Sequence, residues 1–475
     1  FGSSYAGSGL SSTWPSFCCS AMVSSADAKL DIRAVWQLTS MSVGAGVFAI
    51  PWVFVQLGFL HAALWVAVMA VLANLAMQRL LDAAAEHEKD SYEELAELAF
   101  GGAGKVAMSS ITLVTTFIAG LSYVSAAKEL LLNLAVAFIV DVDVNSAPHE
   151  VRILSEEKSI ALLAIFVAAV LPLCLSDTMG GNAWISKLCV FCMFSAAAFF
   201  VGRCIIVLAQ GCSPPIQCGE KPAAFAGSPF DVLEFTATLA FSFSMVFALF
   251  PVLKDRINEG GGLQCAVAVL RRSVRCSVLL CSFLYVVIGA AGAITFGSST
   301  KGLALSNLPL SEVSTQLITL MVGASVELLV AIVAFPTVKS VESLVASCTG
   351  SGTPSLRLRT FLVVAIGVAM VLVDAFLPTK AAFTLCGSLG LSMGAYVMPC
   401  VLFLRLDGAS QGIGSRMQSL VRLRTFVVLF FGLVLLLGST PVTLVRLLSS
   451  KSDTTSQPLH PLICGNPAEY FRLET

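Results

Sequence analysis

Residues Gln37–Gly58 read QLTSMSVGAGVFAIPWVFVQLG. The stretch is long and apolar enough to cross a bilayer, which takes roughly 20 residues of helix, yet its middle is built against a continuous helix. Gly44 and Gly46 flank Ala45, Pro51 follows five residues after Gly46, and Thr39, Ser40 and Ser42 lie just upstream. Each interior glycine lowers helix stability by about 1 kcal/mol relative to alanine, and proline removes a backbone donor. Together they favour a break near the middle of the membrane. Hydrocarbon cannot satisfy the amides and carbonyls that a break exposes, so a break persists only beside a polar cavity. The alternative is that the same small residues form a packing notch between helices.

Outward from this stretch the chain keeps the same character. Its 475 residues are 57% hydrophobic and 12% charged, with a mean hydropathy of +0.88. A soluble globular protein carries about 25% charged residues, so this chain cannot coat itself for water. Apolar windows fall in order at about 34–57, 61–83, 106–131, 159–176, 183–209, 231–252, 274–296, 312–337, 360–377, 381–404 and 426–449. The reading is an all-α integral membrane protein with eleven transmembrane helices. The balance of 28 basic against 29 acidic residues excludes the basic surface that a nucleic-acid partner requires. The four histidines, His61, His87, His149 and His460, all lie outside span cores, so no metal triad and no nucleophile with its base can be assembled. The sequence names no catalytic residue, no metal site and no cofactor.

Orientation follows from the basic residues of short loops, which concentrate on the cytoplasmic side. The loop after span six holds Lys254, Arg256, Arg271 and Arg272, that after span eight Lys339, Arg357 and Arg359, and that after span ten Arg405, Arg416, Arg422 and Arg424. The loops after spans seven and nine carry only Lys301 and Lys380. This places the N-terminus inside and, with an odd span count, the C-terminus outside. The organisation expected is a disordered cytosolic tail over 1–30, spans one to five over 31–209, an extracytosolic loop over 210–230, spans six to ten over 231–405, a cytosolic loop with span eleven over 406–450, and an extracytosolic tail over 451–475. Cys212 and Cys218 share the outward loop, where oxidising conditions permit a disulfide. Between spans two and three, Asp90–Gly101 reads DSYEELAELAFG, in which Ser91 and Glu94 make a capping box and Leu95, Leu98 and Ala99 share one helical face. A short amphipathic helix on the cytoplasmic surface is expected there.

Span six, EFTATLAFSFSMVFALFPVLKDR (234–256), sets Ser242 and Ser244 among Phe241, Phe243 and Phe247, with Pro251 below. Transporters built from inverted repeats interrupt corresponding helices of the two halves, and spans one and six are the right pair. Span six has no glycine, so its interruption rests on Pro251 and the hydroxyls.

The residues also carry a family resemblance. GAGVFAIPWVFVQLGF (44–59) followed by SYEELAELAFG (91–101) resembles the amino acid/auxin permease family, of the amino acid, polyamine and organocation superfamily. Further matches are LPLCLSDTMGGNAWISKLCVF (171–191), FSFSMVFALFPVLKDRI (241–257), TFGSSTKGLALSNLP (295–309), FPTVKSVESL (335–344) and AFTLCGSLGLSMGAYVMPCVLFLRL (382–406). The resemblance implies a leucine-transporter type of fold, two inverted five-helix repeats plus one helix, acting as a secondary active transporter. The substrate implied is a small or neutral amino acid, its carboxylate on the backbone of Val43, Gly44, Ala45 and Gly46 and its amino group near carbonyls of span six. Phe241, Ser242, Phe243 and Ser244 would form the wall, and Tyr123, in IAGLSYVSAAKELL, would close over it.

Departures from the family pattern concern the coupling ion. Sodium-using relatives often have asparagine at the position of Ser40 and some have a hydroxyl at that of Ala334, while a histidine and an acid of one subfamily fall opposite Val246 and Ala248. Sodium ligands are thinned out. Glu327 is the acid most clearly inside an apolar window, and intramembrane acids mark ion pathways by default. The expectation is H+ coupling through Glu327, with Na+ near Ser40 as the alternative. The partners implied are the amino acid and the lipid bilayer, the protein acts as a monomer, and the plasma membrane is favoured over a vacuolar or lysosomal one. The competing class is a sensor or non-transporting membrane partner with the same fold.

Overall fold

The computed structural model describes residues 30–139, 165, 167–175, 183–212, 218–260, 262–349, 356–374, 379–407, 415–446 and 448. The tails 1–29 and 451–475 lie outside the described residues. Everything described that is regular is helical. Eight helices are long and apolar enough to cross a membrane, and Ile32–Ser42 with Gly46–Leu57 forms a ninth span bent by 51°. The count among the described residues is therefore eight or nine, where the sequence reading expects eleven. The two remaining windows are 159–176, described only in part, and Leu356–Asp374, a 19-residue helix with Arg357 and Arg359 at one end and Asp374 at the other.

Span one breaks where its glycines predict. The helix Ile32–Ser42 is capped at its start by Asp31, whose carboxylate accepts from the amides of Arg33 and Ala34 at 3.0 and 3.2 Å. It stops at Val43 and Gly44, which leave helical geometry, and a 3-10 turn over Ala45–Ala49 leads into Ile50–Leu57. Pro51 sits in the first turn of that second half, where its missing amide costs nothing. It starts a helix and does not break one.

Span six also breaks, and of the two expected causes, the proline and the hydroxyls, the proline is wrong. Pro229–Ser242 gives way at Phe243–Met245 to Val246–Asn258. Pro251 lies inside the second helix, well past the break. Span six is the centre of the molecule, with 94% of its apolar window buried, whereas span eleven, at 22%, faces outward.

Ion pairs gather at the two ends of the bundle. At the end where span one begins, Arg256 binds Asp31 at 2.6 Å, Arg33 binds Glu259 at 2.8 Å and Arg271 binds Asp82 at 2.6 Å. At the opposite end, Lys128 of span three pairs with buried Asp374, Arg203 with Glu312, and Arg446 with Asp231 and Glu234. The loop at that end is joined by a Cys212–Cys218 disulfide and tied down by backbone bonds from Phe59 to Ala223 and from Gly219 to Phe296.

The amphipathic helix is Tyr92–Phe100. Ser91 Oγ accepts from the Glu94 amide at 3.1 Å, but Glu94 turns to Lys89 at 3.7 Å, so only half of the expected capping box forms. Leu95 is buried while Leu98 is exposed. Tyr92 is the anchor, its hydroxyl donating to the Gly394 carbonyl at 2.8 Å. Gly394 belongs to a π-helical segment of span ten, Cys386–Val397. Glycine is required there because a Cβ on Gly387 would strike the Ala237 backbone, and one on Gly394 would lie 2.5 Å from Phe247.

Candidate functional site

The two breaks meet. Helix ends leave carbonyls without intrahelical donors, and here side-chain hydroxyls of neighbouring spans reach them. The Met41 carbonyl accepts from Ser244 Oγ at 2.8 Å and from the Tyr123 hydroxyl at 3.1 Å. The Ser42 carbonyl has the Tyr285 hydroxyl at 2.9 Å, and the same hydroxyl touches the Ser242 carbonyl. Residues from spans one, three, six and seven thus close one hydrogen-bonded knot around both breaks.

The glycines of span one are the surface on which the aromatic residues rest. A Cβ on Gly44 would lie 2.6 Å from Cε1 of Tyr123, and one on Gly46 would lie 2.9 Å from Cδ1 of Phe241. Tyr123 and Phe241 pack at 5.9 Å between ring centroids, and Phe241 stacks on Phe383 at 5.4 Å. Phe243 turns away to meet Tyr285 edge-on at 5.1 Å. The amides of Ala45 and Gly46 open the 3-10 turn, whose first turn offers them no intrahelical acceptor.

In this arrangement the site is shut. The void beside Met41, Tyr123 and Ser244 is about 10 Å³, with Phe247 as its floor. Below Phe247 a cavity of about 360 Å³ opens toward the end where span one begins, walled by Phe250, Lys254, Thr112, Pro336 and Lys339 and rimmed by residues 90–93 at the start of the amphipathic helix. Burial pushes the Glu93 carboxyl up from the usual carboxylate range.

Of the residues singled out from sequence, Val43, Gly44, Gly46, Tyr123, Phe241, Ser242, Phe243 and Ser244 lie at this junction, and Ala45 opens the 3-10 turn beside them. The ion candidates are placed differently. Ser40 is buried and donates to the Gln37 carbonyl at 2.9 Å. Glu327 is buried in span eight, and neither of its carboxyl oxygens has a hydrogen-bond partner among the described residues. Tyr285 and Phe383 escape sequence reasoning because an aromatic residue in an apolar span looks like core. For Tyr285 the one available signal is that Tyr is scarce here, with six in the chain.

A polytopic helical membrane protein whose first and sixth spans both break at one buried polar junction has the form of a membrane transporter. The chain matches the family model described as transmembrane amino acid transporter protein over residues 31–445, and it belongs to that family, a family of transporters and not of enzymes. It is similar to amino acid transporter AVT6D of Arabidopsis thaliana, 24% identical over 293 residues covering 59% of this chain and 62% of that one. It is also similar to vacuolar amino acid transporter 5 of Saccharomyces cerevisiae, 22% identical over 309 residues covering 64% and 63%. The chain thus spans about three-fifths of the length of these relatives. Among solved structures it is similar to the manganese transporter of Eremococcus coleocola, at 12% identity and a TM-score of 0.43 over 87% of this chain and 94% of that one.

Proposed function

We propose that this protein is a secondary active transporter that moves small or neutral amino acids by alternating access through the junction of spans one and six. The observation that carries this reading is the junction itself, where two broken helices present backbone groups of both polarities one turn apart. The amides around Gly44–Gly46 suit a carboxylate, since glycine allows close backbone approach and helix starts favour anions. The carbonyls of Met41, Ser42 and Ser242 suit an ammonium. Phe241, stacked on Phe383, limits the side chain to small or moderately apolar groups, and among the described residues no acid lies at the junction to favour lysine or arginine. The closed junction over a cavity at one end fits a state open to the side where span one begins.

The finer reading takes the chain as a monomer of eleven spans with the leucine-transporter type of fold, two inverted five-helix repeats plus one. Coupling is assigned to protons carried by Glu327, whose carboxyl has no hydrogen-bond partner among the described residues and whose span packs closely on span three. The name of the yeast relative favours an internal, vacuolar type of membrane over the plasma membrane. Counterflow of labelled amino acids in proteoliposomes, run over a substrate panel in sodium and in choline, tests the reading. Exchange of at least one neutral amino acid, undiminished in choline, is expected. Binding without exchange would return the sensor reading instead.

A further inference from the structure

The first half of span one ends at Ser42 and the first half of span six at Ser242. The amides of Val43 and Phe243 take the carbonyls of Thr39 and Ala240, at 2.8 and 3.1 Å. The carbonyls of Met41, Ser42 and Ser242 are left to side-chain hydroxyls: Ser244 and Tyr123 on Met41, and Tyr285 between Ser42 and Ser242. A hydroxyl has one proton to donate, so Tyr285 satisfies one of its two carbonyls at a time. Both helix ends also present the negative pole of the helix dipole. Three carbonyl oxygens at two converging negative ends define a receptor for a positive group with three N–H donors, and a primary ammonium is that group.

We propose that Tyr285, helped by Ser244 and Tyr123, stands in for the ammonium group of the substrate in the empty transporter, capping these carbonyls until an amino acid displaces the hydroxyls. The proposal rests on the amino acid reading above and adds the residue that sets its affinity. Tyr285 is fully buried and held edge-on against Phe243, so its hydroxyl is fixed at the meeting point of the two breaks. Without such caps an empty site would leave buried carbonyls bare, and the carrier would close only when loaded. The hydroxyls allow the empty protein to close and return. They also compete with the substrate, so they weaken binding while sustaining turnover.

The test is equilibrium binding and uptake by the full-length protein in lipid nanodiscs and proteoliposomes, with L-alanine, L-glutamine and L-leucine as probes and L-lactate as the analogue lacking an ammonium. Tyr285→Phe removes only the hydroxyl. For an amino acid that the wild type binds, the substitution is expected to lower Kd about tenfold, the equivalent of about 1.4 kcal/mol, and to lower the maximal uptake rate. L-lactate gains nothing. An unchanged or raised Kd for the amino acid, or an equal gain for L-lactate, overturns the proposal, since a purely structural hydroxyl lowers Tm without tightening binding. Should Tyr285→Phe not give monodisperse protein, Ser244→Ala carries the same expectation, and an unchanged or weaker Kd there overturns it. A wild type that binds none of the three amino acids removes the amino acid reading itself, an outcome distinct from a wild type that binds and a variant that binds no better.

Discussion

Replacing Gly44 by alanine tests the glycine cradle with the smallest change available. The added methyl would lie 2.6 Å from Cε1 and 2.8 Å from both Cζ and the hydroxyl of Tyr123, where ordinary contact begins at 3.4 Å. The ring must withdraw by roughly 0.8 Å. It cannot do so and keep its hydroxyl on the Met41 carbonyl, 3.1 Å away, or its packing on Phe241. Overpacking costs about 1–3 kcal/mol, and the buried Tyr123 hydroxyl, deprived of its acceptor while the Met41 carbonyl keeps Ser244, about 1–3 kcal/mol more. Even the lower sum, about 2 kcal/mol, corresponds to roughly a 30-fold loss. Initial uptake in proteoliposomes, normalised to reconstituted protein, should fall by at least that factor in Gly44→Ala while Tm and membrane abundance show a folded protein. Wild-type uptake at equal abundance would refute the cradle and leave the glycines as packing residues. Gly46→Ala should be milder, because its Cβ meets only ring-edge and hydroxyl atoms at 2.9–3.1 Å. The valine variants at both positions, with a branched Cβ, should abolish uptake.

Three further outcomes are expected. Lys128→Ala strands the Asp374 carboxylate, 1% exposed against 26% for its lysine partner, and should destabilise the protein by about 3–5 kcal/mol; in thermal melts the double variant with Asp374→Ala should recover much of that loss. Uptake by the wild type should rise as the pH on the substrate side falls, and Glu327→Gln should flatten that profile; strict sodium dependence with an active Glu327→Gln would return the ion to Ser40 and the span-eight backbone. A tag inserted after Gly260 should react with an impermeant reagent only from the cytosolic side and one after Pro215 only from the other, and reaction of both from one side would overturn the orientation.

The break in span one is legible because its cause is local: two glycines around one residue remove the helix preference where the chain must leave helical geometry. The break in span six is only half legible. Phe243 adopts φ −106°, ψ 39° with no glycine to allow it, and what holds the turn is tertiary, the Ser244 hydroxyl on span one and Tyr285 from span seven. Pro251 is a misleading signal, since proline inside a bundle helix is tolerated when its surroundings accommodate the freed carbonyl. Tyr285 is invisible in sequence for the same reason that it matters, because its partners are backbone carbonyls whose exposure depends on two breaks some 200 residues apart. The π-helical segment of span ten is likewise unreadable. Gly387, Gly390 and Gly394 suggest close packing at helical spacing, and only the approach of Ala237, Thr115 and Phe247 to them fixes the wider turn. The cradle residues and Tyr123 come from the resemblance as much as from the physics, and the structure brings them together without opening a cavity there large enough for a substrate.

The central claim is that the junction of spans one and six carries an amino acid across the membrane. Its most direct test is the accumulation of a labelled neutral amino acid in proteoliposomes holding the full chain under an imposed pH gradient, beside Gly44→Val and protein-free vesicles. The account predicts accumulation above the equilibrium level that collapses when the gradient is dissipated and is absent from both controls. Equal uptake by wild type and Gly44→Val, or none by the wild type for any neutral amino acid, would contradict it.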